Sequence, residues 1–274
     1  TFHGLTPKRV PPLANNKRKA LYGEASRVLV NTRFAMHQAA SVGCSPEKVA
    51  ILPQGLPLDE FPFSPMSCPG ENEMLHMLSI GRFHRDKGYG YSFLAMARLV
   101  RAGMNLHFHV IGEGPDKGWM KNLIDRLDLS EHVTIYDAMP SDKLYEMYKK
   151  AHIFILASIG NRYDKWAETQ GVVLQEAQAT GCIPIATQVG GIPECVNHEK
   201  DAILVPDKSS RAIAAAVQNL LDHPQAWPAF QENGRKNVEQ NFSADVIGKR
   251  MAAILAETAQ SVDRSRAEAA TENQ

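Results

Sequence analysis

Six short, nearly unbroken apolar runs constrain this chain most, at 75–80, 106–111, 133–136, 153–156, 183–187 and 202–205. A strand with one wet face alternates apolar and polar residues. Runs this continuous need cover on both faces, as in a parallel sheet. Helical patterns separate them, at 90–101, 118–128, 141–149 and after Gly171. In the first, Phe93, Leu94, Ala97, Leu99 and Val100 recur at helical spacing, so most share one inward stripe, and Gly103 stops the helix. Trp119, Leu123, Ile124 and Leu127 do the same in the second, and Pro140-Ser141 fits the start of the third. Repeated β-α order predicts an α/β fold, a doubly wound parallel sheet of Rossmann-like type spanning 75–245. A C-terminal helix and tail, 246–274, follows. It is polar and alanine-rich from Ser261, where fraying is expected.

The earlier part is thinner. A strand at 25–30, a helix at 32–40 and a strand at 49–52 are too little to close a core of their own. Residues 1–53 therefore read as the end of an incomplete domain. Proline and glycine crowd 54–74, which reads as a linker. Lys plus Arg and Asp plus Glu each number 30, and this zero net charge argues against a dedicated nucleic-acid binder. No apolar run approaches the ~20 residues of a membrane span. Cys44, Cys68, Cys182 and Cys195 form no Cys-x-x-Cys pair, so free thiols in a reducing cytosol are expected.

Chemistry gathers in the loops after the strands. Glu168-Thr169-Gln170-Gly171 leads into a helix, with Glu176 just over one turn beyond Gly171 and Gly181 at its exit. A helix N-terminus favours anions, and a carboxylate accepts hydrogen bonds from vicinal hydroxyls. Gly81-Arg82-Phe83-His84-Arg85-Asp86-Lys87 follows the first run. Arg82 can fork across phosphate oxygens, Lys87 supplies a point charge and Gly81 lets backbone approach. Gly112-Glu113-Gly114-Pro115 is half of a dinucleotide fingerprint, or a tight turn. Gly190-Gly191-Ile192-Pro193-Glu194 presents N–H groups to an anion, or simply turns. All four loops fall at one edge of the sheet, where ligands of open α/β sheets bind.

Other residues have plainer readings. His107 and His109 share a strand face but lack a third ligand, so no metal site is expected. Ser158 lacks the setting of a hydrolase nucleophile. Tyr145, Met147 and Tyr148 read as helix packing.

Glu168-x7-Glu176 with Gly171 between resembles the Glu-x7-Glu signature of retaining family-4 glycosyltransferases of GT-B fold. Gly81-Arg82-x4-Lys87 is similar to their diphosphate-binding loop. The two glycine loops, the segment from Val49 to Gly55 with Asp59-Glu60-Phe61, and Thr1-Phe2-His3-Gly4 are similar too. The resemblance runs from residue 1 to about 245 and is closest to bacterial exopolysaccharide transferases of colanic-acid type. It implies a donor domain at 75–245 and, at 1–53, the end of an acceptor-side domain most of which is missing. Thr169 and Gln170 stand where relatives often carry Gly and an aromatic residue, which leaves the sugar open.

The resemblance also implies roles. Arg82 and Lys87 bind the donor diphosphate, Glu176 the ribose and Glu168 the donor sugar. Gly81, Gly112 and the backbone of Gln170, Gly171 and Val172 line the donor site. Asp137 and Ala138 border the nucleobase, and His3 reaches the sugar from the other domain. The implied reaction moves a hexosyl unit from a UDP- or GDP-sugar to a hydroxyl of a saccharide or lipid-linked saccharide acceptor. Configuration is retained, and no metal or other cofactor is needed at the donor site. No nucleic acid takes part. A cytoplasmic location follows, with peripheral association at the inner face of the membrane through the missing domain. This chain alone is then expected to bind donor and transfer poorly. The alternatives are a GT-B-like nucleotide-sugar epimerase and a non-catalytic nucleotide-sugar-binding module.

Overall fold

The computed structural model describes residues 20–160 and 167–272. A small unit comes first: β1 (Val28–Val30), α1 (Arg33–Ser41) and β2 (Val49–Ile51). The two strands pair in parallel beside a cluster of Tyr22, Val30, Ala35, Ala39 and Cys44. Thr32 caps α1, its Oγ1 accepting from the Ala35 N–H at 3.2 Å.

The main sheet has six parallel strands: β3 (Leu75–Ile80), β4 (Leu106–Ile111), β5 (Val133–Tyr136), β6 (Ile153–Leu156), β7 (Ile183–Thr187) and β8 (Ile203–Val205). Their spatial order is β5-β4-β3-β6-β7-β8. The intervening helices are α2 (Tyr89–Arg101), α3 (Lys117–Arg126), α4 (Ser141–Lys149) and α5 (Val172–Thr180), and α6 (Ser210–Asp222) follows β8. Two more close the chain, α7 (Trp227–Asn241) and α8 (Ala244–Glu272).

Strand periodicity explains the near-continuous runs. Met77, Ile153, Ile155, Ile183 and Ile185 join the core layer that holds Phe93, Met120 and Val217 of α2, α3 and α6. Leu78, Ile80, Phe154, Leu156 and Ala186 join the opposite layer with Leu174 and Val238 of α5 and α7. Alternate residues serve opposite layers, so nearly every position is apolar.

Three expectations change. Leu94 is 40% exposed, because one residue past Phe93 turns it off the buried stripe, which Met96 completes instead. The first strand is shorter, beginning at Val28. The alanine-rich tail does not fray where expected: α8 runs unbroken from Ala244 to Glu272. Alanine costs little to hold helical, so an alanine-rich composition continues the helix rather than ending it. The proline-rich 54–74 segment is strapped along α7. Arg235 Nη1 donates to Phe61 O at 2.8 Å and Ala179 O at 3.0 Å, and Gln231 Nε2 donates to Met66 O at 2.8 Å.

The face of β3 and β4 away from α2 carries a row of imidazoles. His76 Nδ1 lies 3.3 Å from His109 Nε2, and His76 stacks on His152 with centroids 5.9 Å apart. Among the described residues no three His, Cys, Asp or Glu are grouped to hold a metal ion. Burial, then neighbouring charges, lowers His109 to about 4 and His152 to about 4, and burial also lowers His76 and His107. Charging them is harder folded than unfolded, so stability is full above pH ~6.5 and falls as the pH drops towards 4. Melting scans should show Tm falling across that window, less steeply in His109→Gln. A slope unchanged by that substitution would show that the row carries no such linkage.

Candidate active site

β3 and β6 are adjacent in the sheet but not in the chain. Connections run outward in opposite directions from this seam, so the loops beyond the two strands part and leave a crevice. The loop after β3 is 81–88 and the loop after β6 leads to α5. Backbone stitches them together. The Ile159 N–H donates to Asp86 O at 2.9 Å. Gly88 has φ +69°, and a Cβ there would lie 1.8 Å from Ala157 O, so no side chain fits. Tyr89 donates its hydroxyl to Gly81 O at 3.0 Å and holds the loop from below.

Across this seam Lys87 Nζ meets Glu168 Oε2 at 2.5 Å, with side chains 18% and 16% exposed. Ser158 Oγ donates to the same oxygen at 3.2 Å. A Cβ on Gly81 would sit 3.8 Å from Lys87 Cε, so Gly81, Lys87 and Glu168 share one locus. Arg82 lies exposed on the same loop and makes no ion pair among the described residues. The loop that supplies Lys87 to this partly dehydrated, opposite-signed pair thus also carries an exposed guanidinium.

The Glu168 loop is clamped through its backbone. The Gly191 N–H donates to Glu168 O and Thr32 Oγ1 donates to Thr169 O, both at 2.8 Å. The Gly190-Gly191 turn thus holds the carboxylate loop, with one of its N–H groups already used, and Glu194 does separate work. The Glu194 carboxylate accepts the Arg33 and Phe34 N–H groups at 2.8 Å each and caps α1. Gln170 is 1% exposed, and its side chain turns away from the crevice. It accepts the Gln54 N–H at 2.7 Å and donates to Gln54 O at 3.1 Å.

Gly171, with φ +75°, opens α5 with no side chain capping the helix, which leaves the Val172 end of its first turn to other acceptors. Glu176 lies just over one turn on. Tyr148 of α4, 1% exposed, donates its hydroxyl to Glu176 Oε2 at 2.7 Å. Burial raises the Glu176 pKa, and the Tyr148 hydroxyl opposes that shift.

The remaining expected residues lie further out. Gly112 packs on the first loop, where a Cβ would be 2.0 Å from Gly81 O, and the Phe83 N–H donates to Glu113 O at 2.7 Å. The tight-turn alternative accounts for that geometry. Asp137 and Ala138 are exposed beyond the outer strand β5. Lys117 pairs with Asp137 and holds its carboxyl low. His3 lies outside the described residues. The structure thus brings Lys87, Glu168 and Gly81 into one locus, with Arg82 on the same loop. It sets Glu176 with Tyr148 on the adjoining helices and leaves Asp137 apart. Tyr148, Ser158 and Gln54 were not singled out for these contacts, since their partners are distant in sequence and no local pattern marks them. All four cysteines are free. No helix among the described residues is long and apolar enough to cross a membrane.

A family model described as "Glycosyl transferases group 1" matches residues 70–237. WcaL of Salmonella typhimurium, named for colanic acid biosynthesis, is 30% identical over 258 residues, 93% of this chain and 63% of WcaL. The amylovoran biosynthesis glycosyltransferase AmsK of Erwinia amylovora is 26% identical over 256 residues, covering 93% and 62%. The chain thus spans less than two thirds of these relatives. Among solved structures, Anabaena HepE in complex with UDP and glucose superposes with a TM-score of 0.80 at 18% identity, covering 93% of this chain and 70% of HepE. Sucrose-phosphate synthase of Thermosynechococcus elongatus gives 0.78 at 23%, covering 93% and 63%. At such identity these two bear on the fold alone, which is GT-B.

The Lys87–Glu168 pair makes a direct energetic prediction. Lys87→Met strands a mostly buried carboxylate and should cost about 2–3 kcal/mol in chemical denaturation, somewhat less than for a fully buried pair. Adding Glu168→Gln should recover much of that loss. Strictly additive losses would show the pair uncoupled.

Proposed function

The chain belongs to the glycosyl transferases group 1 family, and from that premise we propose that it carries the donor site of a retaining, family-4-type hexosyltransferase of exopolysaccharide biosynthesis. The donor is a UDP- or GDP-sugar, and the acceptor is a hydroxyl of a saccharide or lipid-linked saccharide. The observation that carries this reading is the Lys87–Glu168 contact across the β3–β6 seam. It sets a cation and a carboxylate at the place where open α/β sheets bind nucleotides.

As the sugar departs, negative charge grows on the diphosphate. Arg82, Lys87 and the uncapped N-terminus of α5 meet that charge with cations and N–H donors. Before donor arrives, Glu168 screens Lys87. A diphosphate entering beside Arg82 competes for the ammonium, and the freed carboxylate oxygens take the sugar hydroxyls. Backbone N–H groups around Gly171 and Val172 face the sugar and phosphate, while Glu176 takes the ribose. Asp137 and Ala138 border the base, with Gly81 and Gly112 shaping the loops beneath. His3 approaches from the acceptor side. Nothing in this scheme calls for a metal at the donor site.

Calorimetric titration with UDP, GDP, ADP and their glucose conjugates tests the reading. One nucleoside diphosphate should bind, with or without EDTA, and Arg82→Ala should weaken it at least about tenfold. Glu168→Gln, which frees the Lys87 ammonium, should bind the bare nucleotide at least as tightly as wild type while removing any added affinity for its sugar conjugate. Failure of all three nucleotides to bind, or indifference to Arg82→Ala, would overturn the assignment.

A further inference from the structure

We infer that Tyr148 is a positioning residue that fixes the Glu176 carboxylate to receive a pair of vicinal hydroxyls, those of a nucleotide ribose. This inference rests on the donor-site reading above.

Tyr148 is locked on every side. Its ring lies edge-on to Phe61 at 6.3 Å and against Phe154 at 5.7 Å between centroids. Its backbone carbonyl accepts the Cys182 thiol at 3.1 Å. The ring cannot swing, so the hydroxyl stays in one place. That hydroxyl lies 2.7 Å from Glu176 Oε2, and its next acceptor, Val173 O, is at 3.4 Å. Burial and the Glu176 charge raise the Tyr148 pKa well above its ordinary value, so the group stays a donor.

Packing alone does not account for the pairing. A buried tyrosine hydroxyl needs one acceptor, and a backbone carbonyl would serve. Here it meets a carboxylate that no Lys or Arg pairs with among the described residues. A carboxylate offers about four acceptor positions. Tyr148 fills one, and no other donor to the Glu176 side chain is found among the described residues. Glu176 is only half-buried, so its remaining acceptor positions are open to an incoming ligand. Two adjacent hydroxyls supply two donors, and Tyr148 holds Oε2 so that the carboxylate plane stays set for them. Glu176 sits just over one helical turn past Gly171, so those hydroxyls belong to a ligand whose anionic part lies at the start of α5.

The test is a ligand-atom cycle by calorimetry on the 274-residue chain. The probes are UDP and 2′,3′-dideoxy-UDP, with the guanosine pair in parallel. Wild type should bind the hydroxylated form at least about tenfold more tightly. Tyr148→Phe should weaken it about tenfold and leave the dideoxy form within about twofold. Glu176→Gln should likewise erase the discrimination, and adding Tyr148→Phe to it should change little more. Circular dichroism and Tm establish that each variant is folded. Equal weakening of both forms, no weakening of either, or an unfolded Tyr148→Phe protein would each mean a structural role and overturn the inference. Equal wild-type binding of both forms would also overturn it, while leaving the donor site standing. Binding of no nucleoside diphosphate would instead sink the donor reading itself.

Discussion

The candidate site depends on the close backbone approach of the loops after β3 and β6, which lets Lys87 meet Glu168. Opposite charges at 2.5 Å, both largely withdrawn from water, attract far more strongly than a surface pair. Yet attraction does not explain how they meet. Two loops that leave a sheet in opposite directions must first be brought within one side-chain length. The absent side chain at Gly88 and the Ile159-to-Asp86 hydrogen bond do that. The polar pair is therefore a consequence of close backbone packing. It holds Lys87 of the first loop against the carboxylate of the second.

The same loop is gripped from the other side by the small first unit. Thr169 and Gln170, expected from the resemblance to bear on sugar choice, make contacts of another kind. In the fold their contacts go to the first unit and the strap that follows it. A buried primary amide needs donor and acceptor partners. Gln170 finds both on the Gln54 backbone, imitating a strand pair with a side chain. Glu194 adds a carboxylate at the N-terminus of α1, where the helix dipole favours it. The first unit is thereby bonded directly to the loop that carries Glu168.

Much of the architecture was legible because it obeys short-range rules. Five of the main strands match their apolar runs residue for residue, since a run buried on both faces ends where polarity returns. Glycines 171 and 181 bracket α5 because left-handed backbone favours residues without a Cβ. Legibility failed where the partner was distant. Leu94 fits the helical count yet lies exposed, because burial depends on what packs opposite. Gly191 reads as an anion donor until Glu168 O takes its N–H. The imidazole row, with His152 far along the chain from His76 and His109, exists only once strands pair.

By itself the sequence determined element type, element order and the chemical kinds of residue at each strand end. Those follow from periodicity, backbone permissiveness and charge, all local properties. Only the tertiary structure decided that Lys87 closes on Glu168, that Gln170 turns to the strap, and that Tyr148 holds Glu176. Each of these depends on a contact between residues 28 to 116 positions apart. Such contacts are selected by how two faces of one sheet fill space, which no local pattern encodes.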